Sequence, residues 1–269
     1  MDTEKPSTAE ISTNPLLARA RIPGETFTLP SQGLFYQNGE LDESVKNGEL
    51  IVNPMVTFDE IIMKTPDKLF SGEAITEVFK RCIPQVLKPL DLLSKDVDFL
   101  LVCLRKVTYG EQMEITYTHT CKDAEEHNYM VSMDPFVRNA RRIDPTKIDT
   151  DYVIKLENGQ QVFLNPPRFG NVLKIYQAVG NDQDMSSEEI RDELFDTLAG
   201  MIRKVDNISD KNQVREWLSV IKAGWVEQIS TSIDRVSDWG PNFGSTIKCR
   251  DCGEEVQVNT PINPLSFFM

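Results

Sequence analysis

Along this chain, stretches with apolar residues at every second position alternate with stretches where they return every three or four. Residues 22–58 are of the first kind. In IPGETFTLPSQGLFY, Ile22, Phe27 and Leu29 precede the turn formers Pro30-Ser31-Gln32-Gly33, and Leu34 and Tyr36 follow. GELIVNPM adds a second short strand that stops at Pro54. The period then becomes helical from about residue 59 to 108. Ser71 is placed to cap a helix whose apolar face is Ile75, Val78, Phe79, Cys82 and Ile83, with Pro84 at its end. A second helix starts near Ser94 and carries Val97, Leu100, Leu101, Leu104 and Val107 on one stripe.

Alternation returns at 113–133. MEITYTH and NYMVSM flank CKDAEE, which predicts a two-stranded ribbon followed by a short helix at Pro135. YVIKLENGQQVFL places Asn158-Gly159 between two strands and predicts a hairpin with a type I′ turn, both central residues at positive φ. Helices are expected from Arg168 to about Val179 and from Ser187 onward. Ser186 and Glu189 form a capping box for the second, whose stripe is Ile190, Leu194, Leu198, Met201, Ile202 and Val205. Asp210 caps a helix carrying Val214, Trp217, Leu218 and Ile221, and a last helix carries Trp225, Ile229, Ile233 and Val236. Trp239-Gly240-Pro241 closes the helical part, and residues 245–269 return to strand.

The pattern predicts an α+β protein, mainly helical, with short antiparallel hairpins and a zinc-ribbon-like knuckle near its C-terminal end. No βαβ series is present, so a parallel sheet is not expected. Four segments follow: a flexible arm over 1–21, a first domain over 22–145, a hairpin and acidic helical region over 146–244, and a knuckle over 245–269 that returns to the first ribbon. IDPTKIDTD reads as the linker between the two larger segments.

Composition narrows the function classes. A chain of 269 residues with 40% hydrophobic content can bury a substantial core. The net charge of −13 repels nucleic acid in general. The one dense basic cluster, Arg138, Arg141, Arg142 and Lys147, is surrounded by Asp134, Asp144 and Asp149 and reads as an ion-paired or solvated face. No apolar run approaches the ~20 residues that a membrane span requires. MDTEKPSTAE lacks the basic start and apolar centre of a signal peptide, so folding in a cytoplasm is expected. An odd count of five cysteines argues against a disulfide framework. Cys82 and Cys103 fall on helical stripes and read as small buried hydrophobes.

The remaining cysteines carry the candidate chemistry. Cys121-Lys122-Asp123-Ala124 and Cys249-Arg250-Asp251-Cys252 each sit at the tip of a predicted hairpin, and each is followed by two glutamates. A zinc ribbon presents a Cys pair from each of two such tips. Here Ala124 takes the place of one cysteine, but both histidines of the chain, His119 and His127, lie within six residues of Cys121. A Cys3His site over Cys121, His127, Cys249 and Cys252 is expected, His127 being preferred because it lies past the turn, with His119 as the alternative. Four protein ligands leave no open position, so the zinc would be structural. Catalytic signatures are missing: there is no GxSxG elbow and no Gly-rich phosphate loop. Asp59-Glu60 and Glu188-Glu189 sit at helix starts, where the helix dipole accounts for them. No enzyme activity, catalytic residue or small-molecule substrate is expected.

Three stretches in order, IPGETFTLPSQGLFY at 22–36, NPMVTFDEIIMKTPDKLFSGEAITEVFKRCIP at 53–84 and DVDFLLVCLRKVTYG at 96–110, resemble the baseplate family of T-even-like contractile-tailed phages. That family includes a baseplate hub subunit and a related hub-assembly factor. The resemblance covers residues 22–135 well and 150–240 loosely. Members tend to follow the Tyr-Gly step with a Cys-x-x-Cys ribbon, from which this chain departs at Ala124. The resemblance implies a structural or assembly component of the tail baseplate, located in the virion and assembled in the host cytoplasm. Its partners would be other baseplate or tail proteins, hub or tape-measure components among them, engaged through protein contacts. The Pro30–Tyr36 turn offers groups a partner could read, with core packing as the other reading of Leu34, Phe35, Tyr36 and Met55. Two other function classes are a zinc-ribbon nucleic-acid-binding regulator, disfavoured by the charge, and a tail-associated hydrolase.

Overall fold

A computed structural model describes residues 22–37, 39–121, 125–180 and 186–259. The expected arm over 1–21 and the residues after 259 lie outside the described residues.

The first part of the chain builds one core. Strands β1 (Glu25–Thr28) and β2 (Glu49–Val52) pair antiparallel with Thr26 opposite Ile51. The loop between them folds back tightly at Gly48, where φ is +73°. A Cβ there would stand 2.8 Å from the Gly33 amide nitrogen, so a side chain does not fit. Three helices follow: α1 (Thr57–Met63), α2 (Pro66–Phe70) and α3 (Glu73–Cys82). α3 buries Ala74, Ile75, Val78, Phe79 and Cys82, the stripe that helical spacing predicts. Its N-cap is Gly72 rather than Ser71, which instead closes α2. Gly72 has φ +77°, and a Cβ there would lie 2.4 Å from Leu173 Cδ2, so the tight α2–α3 step requires glycine. The long helix α4 (Ser94–Tyr109) buries Val97, Leu100, Leu101 and Leu104 against this face. After Gly110, β3 (Gln112–Tyr117) and β4 (His127–Ser132) form the expected ribbon, with Ile115 opposite Tyr129 and Tyr117 opposite His127. A short helix, α5 (Asp134–Arg138), buries Phe136 in the same core.

A second cluster lies between residues 152 and 236. The IDPTKIDTD stretch forms a 3-10 turn and helix α6 (Ile148–Asp151). Strands β5 (Val153–Lys155) and β6 (Gln161–Leu164) are antiparallel. Their connection differs from the type I′ turn expected at Asn158-Gly159. Gly159 alone has positive φ (+90°), the Gly159 N–H donates to Leu156 O at 2.9 Å, and the Leu156 N–H donates to Gln160 O at 2.9 Å. This is a type I turn with a left-handed glycine closing a three-residue loop. The extra residue removes the need for Asn158 to adopt a left-handed conformation.

Helix α7 (Phe169–Gly180) leads to α8 (Ser187–Gly200), which starts at the expected capping box of Ser186 and Glu189. The stripe drawn through Ile202 and Val205 does not continue this helix. The chain turns at Gly200, and β7 (Ile202–Val205) joins the sheet in the order β5-β6-β7, all antiparallel. Lys211 Nζ donates to Ala199 O at 3.2 Å and to Ile202 O, serving carbonyls that the helix end leaves open. Asp210 caps α9 (Lys211–Val220), and α10 (Ala223–Val236) follows. Tyr152, Val162, Leu164, Ile202, Val214, Leu218 and Ile229 fill the space between sheet and helices.

The last described strands, β8 (Gly244–Lys248) and β9 (Glu255–Asn259), pair with Ile247 opposite Val256. They do not belong to the second cluster. Ile247 and Val258 are buried in the first core, together with Tyr129 and Val131 of β4.

The Pro30–Tyr36 turn faces inward. Leu34, Phe35 and Tyr36 pack against a small cluster of Leu93, Ile143 and Trp239, and the Phe35 ring lies 4.9 Å from that of Tyr152. The turn is anchored by Asp96, which is fully buried at the first turn of α4. The Ser31 N–H donates to its Oδ1 at 3.1 Å, and Tyr36 Oη donates to Oδ2 at 2.7 Å while accepting from the Leu93 N–H at 2.9 Å. Arg168 crosses from the second cluster. It pairs with Glu40 at 2.8 Å and donates to the Phe35 carbonyl at 2.9 Å and to Asp91 O. Polar groups that the sequence offers to a partner are therefore spent on joining the two clusters. Met55 is likewise buried.

Candidate metal centre

The cysteines of the two stretches that matched in sequence, Cys121 of the first and Cys249 and Cys252 of the second, meet in space. The β3–β4 ribbon and the β8–β9 hairpin share a core, and this brings Cys121 beside Cys249 although 128 residues separate them. His119, Cys121, Cys249 and Cys252 each offer one ligand atom, and these four atoms lie within 4.8 Å of one another. The Cys121 and Cys249 sulfurs are 4.0 Å apart, and Cys252 Sγ is 3.4 Å from His119 Nδ1. The cluster could bind a metal ion. Cys249 is buried, His119 and Cys121 are half-buried, and Cys252 is exposed.

Local sequence builds the second tip. The Cys249 N–H donates to Glu254 O at 2.8 Å, and the Gly253 N–H donates to Cys249 O at 3.0 Å. Gly253 has φ +76°, which lets the chain reverse directly after Cys252. The turn aims the Cys252 and Asp251 backbone N–H groups at the Cys249 sulfur, and these hydrogen bonds lead in lowering its pKa to about 6. Cys121 moves the other way, to about 11, through desolvation and then the neighbouring thiols of Cys249 and Cys252. One sulfur of the cluster thus favours the thiolate, the form that binds metal.

Cys121, Cys249 and Cys252 come together as the sequence suggested, but the histidine beside them is His119. His127 stands on β4, turned to the knuckle loop: its Nε2 lies 2.7 Å from Asp251 Oδ1, while Asp251 Oδ2 accepts from the Glu125 N–H at 3.2 Å. These contacts hold the Asp251 carboxyl below its usual pKa, the His127 bond contributing most. Tyr129 makes a second attachment. Its hydroxyl accepts from the Arg250 N–H at 3.2 Å, and the Arg250 guanidinium lies 5.3 Å from its ring centroid. The sequence offered only the i, i+2 spacing of His119 and Cys121, and the backbone there is not extended strand but turns at Thr120, where the Cys121 N–H donates to His119 O at 2.9 Å.

Two concavities lie elsewhere among the described residues. A 610 Å³ groove between α7, α8 and α10 is lined largely by apolar side chains, including Leu194, Phe195, Leu198 and Val226. A 330 Å³ hollow beside Asp144, Asp151 and Asp238 is polar. Three of the four residues of the sequence's basic cluster are in ion pairs, Arg138 with Asp134 at 2.6 Å, Arg141 bidentate with Asp238, and Lys147 with Asp144 at 3.8 Å, while Arg142 lines the polar hollow. Among the described residues, no helix is long and apolar enough to cross a membrane.

Comparison with known proteins gives one match. The model of the family described as T4 bacteriophage base plate protein aligns with residues 52–269. The alignment takes in the hairpin and helical region over 150–240, the ribbon and the knuckle, and begins after the Pro30–Tyr36 turn. No curated protein and no solved structure matches the chain.

Proposed function

The chain belongs to the T4 bacteriophage base plate protein family, and from this premise we propose that it acts in the hub region of a contractile tail baseplate through protein contacts, without enzymatic turnover. Family membership makes it a structural component of a phage baseplate and associates it with other tail proteins in the virion. It is the observation that carries the reading.

The surface supports the finer part. Helix α1 buries Ile62 and Met63 but leaves Phe58 and Ile61 more than half exposed, with Val56 beside them. A short helix apolar on two sides has one side left for a neighbour. The overall charge of −13 suits a partner with a basic face, such as another hub protein or a tape-measure component. An ion at the Cys/His cluster would be zinc by the softness of its donors, and it would serve as a clasp and not a reagent.

The test is quantitative mass spectrometry of purified virions, with peptides of this chain counted against the sheath protein. Several copies per particle would establish residence in the virion. Consistent absence from virions, with presence in assembly intermediates, would replace residence by a transient assembly role. Absence from both would overturn the proposal.

A further inference from the structure

We propose that His119 Nδ1 and the sulfurs of Cys121, Cys249 and Cys252 bind one zinc ion in a closed tetrahedral site, and that His127 is not a ligand but a positioning residue acting through Asp251. The proposal rests on the reading of the ion as a clasp and is independent of the hub assignment.

The distances carry it. A tetrahedral centre with Zn–S near 2.3 Å and Zn–N near 2.0–2.1 Å sets its sulfurs about 3.8 Å apart and a sulfur and nitrogen about 3.6 Å apart. The observed separations of 4.0 Å between Cys121 and Cys249, and 3.4 Å between Cys252 and His119, fall within a few tenths of an ångström of these. A disulfide requires about 2.05 Å between sulfurs, which the 4.0 Å pair does not approach. It would also strand the third cysteine and the imidazole. Three soft donors and one borderline donor in a tetrahedral arrangement select zinc over calcium, magnesium or manganese.

The surroundings explain the choice of histidine. His119 approaches from the outgoing side of the ribbon, two residues before Cys121, with the Cys121 N–H bonded to His119 O at 2.9 Å. His127 is occupied at 2.7 Å by Asp251, which sits between the two knuckle cysteines. Asp251 is also bonded to the Glu125 N–H. The loop carrying two ligands is thus pinned to the strand opposite, and such outer contacts orient metal ligands. All four coordination places are filled by protein, so no place remains for a water nucleophile.

The full-length protein, purified without chelators, should contain about one zinc per chain by elemental analysis. The wild-type chain stripped with chelator and refilled with Co²⁺ should show the visible bands of a tetrahedral cobalt–thiolate centre. His119→Ala should change the cobalt spectrum, because a protein ligand is replaced, whereas His127→Ala should weaken zinc affinity by about 10–100-fold, keep the four-ligand cobalt spectrum and lose thermal stability. Zinc below about a tenth per chain, with no uptake from zinc buffer, would overturn the site. A changed cobalt spectrum in His127→Ala with an unchanged one in His119→Ala would overturn the ligand assignment. Because these readouts concern the isolated chain, failure here is distinct from absence of the protein from virions, which tests the hub reading.

Discussion

Replacing Tyr36 with Phe removes one oxygen from the joint between the two buried clusters and should be costly out of proportion to its size. The Tyr36 hydroxyl donates to a buried carboxylate and accepts from the Leu93 N–H, so Tyr36→Phe leaves both without that partner. A hydrogen bond to a charged group contributes about 1.5–3 kcal/mol, and an unsatisfied buried N–H costs about 1–3 kcal/mol, giving an expected loss of about 3 kcal/mol or more. Asp96 makes this loss depend on pH. Burial raises its pKa from 3.8 to about 6 against the opposing hydrogen bonds from Ser31 and Tyr36. The folded chain therefore binds this proton more tightly than the unfolded one. Its contribution to stability is complete below pH 3.8 and is lost as pH rises through 6, an amount of about 3 kcal/mol. Without the Tyr36 donor the ionised form becomes less favourable still, so the substitution should cost more at pH 8 than at pH 5. Urea unfolding of wild type, Tyr36→Phe, Asp96→Asn and the double variant at both pH values isolates the effect, since titration of other groups cancels in the differences. A Tyr36→Phe loss below about 0.5 kcal/mol at pH 8, or an equal loss at both pH values, would refute the reasoning.

Other perturbations test separate features. Gly72→Ala forces a Cβ against Leu173 at a positive φ and should destabilise by about 1–3 kcal/mol in urea unfolding. Arg168→Ala leaves Glu40 and the Phe35 and Asp91 carbonyls without their partner and should cost about 3 kcal/mol, read as a lower Tm. Cys249→Ser and Cys252→Ser should each lower Tm and speed proteolytic cleavage in β8–β9, while Cys103→Ala, away from the cluster, should leave metal content unchanged. Phe58→Asp with Ile61→Asp should change stability by no more than about 0.5 kcal/mol because both side chains are exposed, yet exclude the chain from baseplates isolated from infected cells. Normal incorporation of that variant would show that this face of α1 is not a docking surface.

The helices were legible because their signals are local. The stripe Ile75, Val78, Phe79, Cys82 and the capping box of Ser186 and Glu189 depend only on residues within a few turns, and both are present. What the sequence hid was decided across the fold. Ile202 and Val205 satisfy a helical stripe as well as a strand. Gly200 and the free edge of β6 decide for the strand. Gly72 in place of Ser71 as the cap follows from the approach of Leu173, about a hundred residues away in sequence. Core packing of Tyr36 was among the readings of the sequence, but the partner of its hydroxyl, the buried Asp96, lies 60 residues away and no local pattern names it. At the candidate metal centre the three cysteines were legible from their matching tips. The histidine was not, because the choice between His119 and His127 turns on Asp251, which lies on the other hairpin.

The return of β8 and β9 to the first core has a consequence for how the chain is made. Ile247 and Val258 complete a hydrophobic interior whose other members lie almost entirely between residues 29 and 136. A ribosome that has just delivered α5 has therefore exposed an interior that must wait for more than a hundred further residues before it can be sealed. Chains that stop early remain open and apolar at this seam, good prey for chaperones and proteases. Particle assembly would then draw on complete copies without any dedicated proofreading.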